Sequence, residues 1–167
     1  ITRHQFLADL HRVLKPKVYL EIGVQYGSSL ILAEAAEIAY GIDPVPLLFG
    51  APQNQLPNQR IHQMTSDEFF GQRYLTEPID LAFIDGSHLV EDAMCDYVNV
   101  QRHMRPGGVI VFDDVLPYNA AIAARTRSPN GPVPCPPAYA ARTPAYVAAR
   151  SALRPPPTSV RLEVATT

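Results

Sequence analysis

Four acidic sites close short apolar runs: Glu21 within Val18-Tyr-Leu-Glu-Ile22, Asp43 after Ile38-Ala-Tyr-Gly-Ile42, Asp85 after Leu81-Ala-Phe-Ile84, and Asp113-Asp114 after Val109-Ile-Val-Phe112. An apolar run of this length reads as a strand covered on both faces, and an acid at its end puts a carboxylate at one edge of a sheet. Asp43 stands about twenty residues beyond a glycine bend, where an acid can accept hydrogen bonds from ribose hydroxyls. Before Pro44 it also fits a turn cap. Asp85, Asp113 and Asp114 gathered at one edge would repel one another unless a cation or a proton shared the site. His88, three residues after Asp85, carries an imidazole suited to taking a proton at neutral pH, or to capping the helix that follows.

The bend itself has the pattern Glu21-x-Gly23-x-x-x-Gly27. Gly23 and Gly27 allow a sharp turn and a close backbone approach to a ligand. The G-x-G-x-x-G spacing of a dinucleotide site is missing, which disfavours an NAD-binding oxidoreductase. Ser28-Ser29 can cap a helix over Leu30 to Glu37. Glu21, in an otherwise apolar strand, needs a polar partner.

The elements that must position these residues follow from periodicity. Phe6, Leu7, Leu10, Val13 and Leu14 recur at helical spacing, so an amphipathic helix runs from Arg3 to Leu14 and ends at Lys15-Pro16. A surface loop covers Val45 to Asn58, a weak third strand Gln59 to Met64, and Thr65 or Ser66 caps a short helix carrying Phe69 and Phe70. A longer helix spans Leu89 to Met104, with Val90, Ala93, Met94, Tyr97, Val98 and Gln101 giving its 3.6 period on the core face, broken by Arg105-Pro-Gly-Gly108. Strand and helix thus alternate repeatedly, the signature of an α/β protein with a doubly wound, mainly parallel, Rossmann-like sheet and helices on both faces. Residues 118–158 are rich in proline and alanine and read as irregular, and 159–167 as a partial C-terminal strand, with a last strand missing. The start at Ile1 and the end at Thr167 suggest a fragment, and the C-terminal third a shifted reading frame.

An apolar content of 47% and a charged content of 18% fit one soluble globular domain. A net charge of −2 builds in no general attraction for nucleic acid or an anionic membrane. No run is long enough to span a bilayer, and a cytoplasmic location is the default. Cys95 and Cys135 have no C-x-x-C partner, and Cys95 reads as a small core residue. His4, His11, His62 and His103 read as surface residues.

Glu21-Ile-Gly-Val-Gln-Tyr-Gly27, Gly41-Ile-Asp43, Phe83-Ile-Asp-Gly-Ser-His88, Arg105-Pro-Gly-Gly108 and Phe112-Asp-Asp114, in this order, resemble the small class I S-adenosylmethionine (SAM) methyltransferases related to catechol O-methyltransferase. The resemblance covers about Arg3 to Pro117 and implies that 1–117 is a SAM-binding core. Glu21, Gly23 and Gly27 would border the methionine part of SAM, Asp43 its ribose, and Ser66 and Asp67 its adenine, although capping explains Ser66 and Asp67 nearly as well; Asp85 is a further implied cofactor contact. The same resemblance implies Mg2+ or another divalent cation on Asp85, Asp113 and Asp114, the last two matching an Asp-Asn pair. In its absence Asp113 would cap a turn and Asp85 a backbone amide. His88 falls where these enzymes carry a lysine base, so the implied catalytic residues are His88 and Asp85. The implied activity is methyl transfer to an oxygen of a small-molecule hydroxyl acceptor, with an inactive SAM-binding module as the alternative, no nucleic acid or membrane partner, and a homodimer left open.

Overall fold

The computed structural model describes residues 2–47, 56–87 and 90–113, with the backbone of 161–164. His88, Asp114, Cys135 and the expected irregular segment 118–158 lie outside the described residues. Strands β1 (Val18–Ile22), β2 (Ile38–Ile42), β3 (Gln59–His62), β4 (Ile79–Ile84), β5 (Met104–Phe112) and β6 (Arg161–Val164) form one sheet in the order β3-β2-β1-β4-β5-β6. Every pairing is parallel. All carboxyl ends therefore share one edge.

Strand β1 is buried along its whole length because both faces are covered. Leu20, Ile22, Ile42, Ala82, Ile84 and Ile110 pack with Phe69 of α2 (Ser66–Gly71) and Ala93 and Val100 of α3 (Val90–Gln101). Tyr19, Ala39, Leu81, Phe83 and Val111 pack with Leu7 of α1 (Arg3–Leu14) and with Leu30 and Ala33 of a 3-10 turn, Leu30–Ala33. Helix α1 opens on a capping box in which Thr2 accepts from the Gln5 amide and the Gln5 side chain accepts from the Thr2 amide. It closes at Lys15, which is left-handed (φ 46) and donates its N–H to the His11 carbonyl, just before Pro16.

Several elements differ from the sequence reading. The helix expected over Leu30 to Glu37 is only the 3-10 turn, because the Ser29 hydroxyl makes no cap bond and donates instead to Glu21. Helix α3 ends at Gln101, and β5 starts at Met104, ahead of the expected break; its Pro-Gly-Gly stretch enters the sheet through a register shift opposite Ile79 and Leu81. Met94 and Val90, expected on the core face of α3, are 49% and 58% exposed, while Asp96 is turned inward to accept from the Ser66 hydroxyl. Strand β6, within the partial C-terminal strand expected over 159–167, lies parallel to β5.

His11 is buried, not a surface residue: its ring packs edge-on against Tyr19 with centroids 4.6 Å apart. His62 and His103 are half-buried against Tyr74 and Phe70. Cys95 is in the core as expected. Among the described residues no helix is long and apolar enough to cross a membrane.

Candidate active site at the carboxyl edge of the sheet

The glycine bend leaves β1 at Gly23, whose φ of 88° lies in the left-handed region. A Cβ there would stand 2.0 Å from the Asp85 carbonyl oxygen, so β1 and β4 can close on each other only around a glycine. Gly23 donates its N–H to the Ile42 carbonyl at 2.9 Å, and the Asp85 N–H donates to the Ile22 carbonyl at 2.8 Å. Gln25 and Gly27, with φ of 43° and 77°, complete the turn. Asp43 braces it from β2: its Oδ2 accepts from the Gln25 amide and its Oδ1 from the Val45 amide, both at 2.8 Å. Each carboxylate oxygen keeps a further lone pair, so bracing leaves acceptor capacity for a ligand hydroxyl.

Glu21 lies behind the bend, wholly buried. Its Oε1 accepts from Ser29 Oγ at 2.7 Å and its Oε2 from Tyr19 Oη at 2.8 Å. Burial pushes its pKa up to about 8 against the pull of those two hydroxyls, so at neutral pH it holds a proton. Burial and the neighbouring Glu21 likewise raise the Tyr19 hydroxyl, and burial lowers the His11 imidazole to about 4. The polar partner that the sequence required for Glu21 is therefore a pair of hydroxyls inside the protein.

Asp85 and Asp113 do converge. A single nitrogen, Nη1 of Arg3, donates to Asp85 Oδ2 at 2.9 Å and to Asp113 Oδ2 at 2.7 Å. The side chain of Asp113 is only 2% exposed and that of Asp85 14%. Arg3 comes from the first turn of α1, where His4 Nε2 also lies 3.2 Å from Ser28 Oγ of the bend. The expected divalent ion called for the same two carboxylates; its third expected ligand, Asp114, lies outside the described residues, and among those described no group of three His, Cys, Asp or Glu is arranged to hold a metal. The donor set seen here fits a guanidinium.

Ser66 and Asp67, expected beside the adenine, sit at the start of α2. Thr65 caps this helix, with Glu68 completing the capping box. Ser66 is buried and donates to Asp96, and Asp67 accepts from Asn99 Nδ2 at 2.6 Å, so both tie α2 to α3. Sequence reasoning missed Arg3, Ser29 and the paired role of Tyr19. The one signal for Arg3 was a basic residue in a helix first turn that holds no acid, inside the Thr2-x-x-Gln5 capping box itself.

A parallel sheet with a glycine bend after β1 and acids at the ends of β1, β2, β4 and β5 defines a Rossmann-like α/β protein of the class I methyltransferase type. Residues 20–115 match the family profile of a methyltransferase domain, and the chain belongs to that family. An uncharacterized protein, R132, of Acanthamoeba polyphaga mimivirus is 32% identical over 116 residues, 60% of this chain and 52% of the relative. The chain thus spans about half the length of this curated relative. Among solved structures, the O-methyltransferase TomG of Streptomyces achromogenes, involved in tomaymycin synthesis and determined in complex with SAM, superposes with a TM-score of 0.55 at 22% identity, over 66% of this chain and 54% of its own. The N-methyltransferase NodS of Bradyrhizobium japonicum WM9 gives 0.52 at 23% identity, over 66% and 65%. Both share the fold.

Proposed function

We propose that the chain binds SAM across the bend between β1 and β2 and transfers its methyl group to an oxygen of a small-molecule acceptor. The reading is carried by one observation: the bend pinned by Gly23 against Asp85 lies inside the segment that matches a methyltransferase domain. Gly23 and Gly27 bring backbone close to the methionine part of the cofactor, Asp43 accepts from the ribose, and the start of α2 at Ser66 and Asp67 borders the adenine. Glu21 acts as a positioning residue, holding Ser29 and through it the end of the bend. SAM is the cofactor of the TomG complex, and that protein is an O-methyltransferase by name, which favours SAM and an oxygen acceptor here.

The reaction is an in-line displacement. The acceptor oxygen bonds to the methyl carbon as the carbon–sulfur bond breaks, the electron pair of that bond stays on sulfur, and the hydroxyl proton passes to a base. We assign that base to His88. Because the donor already carries a sulfonium leaving group, the protein's main task is to hold the nucleophile in line, an effect worth about 7–11 kcal/mol.

Calorimetry with the 167-residue chain tests the cofactor. The parent is expected to bind SAM, and Asp43→Ala to bind it about 10- to 100-fold more weakly, since hydrogen bonds to a charged acceptor contribute about 1.5–3 kcal/mol. Equal affinities would remove the ribose assignment; no binding by the parent would remove the whole reading. A panel of phenols, sugars and amines with isotope-labelled methyl donor tests the acceptor. Turnover of amines alone would overturn the oxygen assignment.

A further inference from the structure

We infer that the Arg3 guanidinium is the resident cation of the β4 and β5 strand ends, standing where a divalent ion would otherwise be held, so that Asp85 and Asp113 take up no such ion while Arg3 is in place. The inference is independent of the methyl-transfer reading.

The first support is geometric. The carboxylates come from adjacent strands, and their Oδ2 atoms meet on one nitrogen at 2.9 and 2.7 Å, so a single positive centre bridges them as a bound ion would. The second is the cost of putting Arg3 where it is. It occupies the first position of α1, fixed there by the Thr2 and Gln5 capping box, and a positive charge at a helix N-terminus works against the helix dipole. No acid in the first turn offsets this. What does are two aspartates 82 and 110 residues away in the chain. The third is desolvation. Asp113 is almost fully buried, a guanidinium is weakly hydrated and suited to buried ion pairs, and small divalent cations give up water reluctantly.

The test is Mn2+ binding by the full chain at fixed ionic strength, read from the free-ion paramagnetic resonance signal. The parent and the double variant Asp85→Asn with Asp113→Asn are expected to give superimposable titrations. Arg3→Gln is expected to bind Mn2+ about tenfold or more tightly than the parent, because a repelling positive charge within bonding distance of both carboxylates has gone. Adding Asp113→Asn to Arg3→Gln should abolish the gain, and Arg3→Lys should behave as the parent. An equivalent of Mn2+ bound by the parent and lost in the double asparagine variant would overturn the inference, as would a folded Arg3→Gln protein with no gain. Should Arg3→Gln fail to fold, the comparison of the parent with the double asparagine variant still decides.

Discussion

Replacing Gly23 by alanine is the sharpest test of how the bend is built. The added Cβ would lie 2.0 Å from the Asp85 carbonyl oxygen, 2.5 Å from its carbon and 2.8 Å from the Gly86 Cα. All three are backbone atoms, so no rotamer change relieves the contact, and one strand end must move. Forcing a residue with a side chain to a φ of 88° costs about 1–2 kcal/mol more. The movement opens two hydrogen bonds, Gly23 to Ile42 and Asp85 to Ile22, at about 1–3 kcal/mol each where the freed groups stay buried. The expected loss is therefore roughly 3–8 kcal/mol, a large part of the 5–15 kcal/mol that usually holds a domain together. Gly107 supplies the control: its φ is 81°, but nothing lies within 4 Å of its would-be Cβ. Gly107→Ala should cost only the conformational strain, about 1–2 kcal/mol. Urea unfolding of the parent and both variants separates strain from contact. If Gly23→Ala and Gly107→Ala are destabilised to within about 1 kcal/mol of each other, the close approach of β1 to β4 is not what holds the bend.

Two more predictions concern the core. Glu21 titrates at about 8 in the folded protein and near 4.5 when unperturbed, so between those values the folded chain holds a proton that the unfolded chain has lost, and stability falls as pH rises through that window. His11 acts in the opposite sense at lower pH: its folded value is about 4 against 6.5, so its share of stability is lost as pH falls through that range. Glu21→Gln should remove the decline over that window and gain on the parent by several kcal/mol, on the order of 3–5, near pH 8, measured by urea titrations in a buffer series; a variant that tracks the parent throughout would show that Glu21 does not carry the proton. Phe69→Ala empties a position 1% exposed that touches the rings of Tyr40, His62, Phe70 and Tyr74, and should cost about 3–5 kcal/mol in the same assay; a loss below about 1 kcal/mol would refute the packing assigned to α2.

The sheet was legible because its signal is local. Strands β1, β2, β4 and the second half of β5 are short, mainly apolar runs with a breaker after them, and burial on both faces makes such runs continuous rather than alternating, as in β1. Helix α1 was legible to the residue, since its apolar spacing and the Lys15-Pro16 stop lie within one stretch of chain. The helix after the bend was misjudged because Ser29 has two possible uses, and the choice between capping and bonding Glu21 depends on a strand eight residues earlier. Helix α3 was placed correctly, and Ala93, Tyr97 and Gln101 of its expected period do lie on the buried side, while Val90 and Met94 do not. Val90 and Met94 supplied the apolar period, yet the pairings of Ser66 with Asp96 and of Asp67 with Asn99 turn a polar stripe toward α2. A polar residue that finds a partner from another element carries no mark of it in a hydropathy pattern.

The same limit explains the site, and here the register supplies the missing step. Glu21 pairs with Phe83, Phe83 with Val111, and Ile22 with Ile84, so odd-numbered residues of β1, β4 and β5 lie on one face. Side chains alternate along a strand, and the odd positions Tyr19, Leu81, Phe83, Val109 and Val111 are those packed toward α1. Glu21, Asp85 and Asp113 continue that series, so all three acids fall beneath α1 rather than being spread over the rim. One-sided acid of this kind cannot stay ionised and buried without compensation, and the protein supplies it in two ways: a proton and two hydroxyls for Glu21, and Arg3 for the other two. Sequence alone identified which edge the acids reach. The parity of three strands in register identifies the face, and only the face shows that the balancing charge must come from the first turn of α1, which leaves the β1 to β2 side of the edge, with Asp43 and the glycine bend, as the side on which the SAM site is proposed.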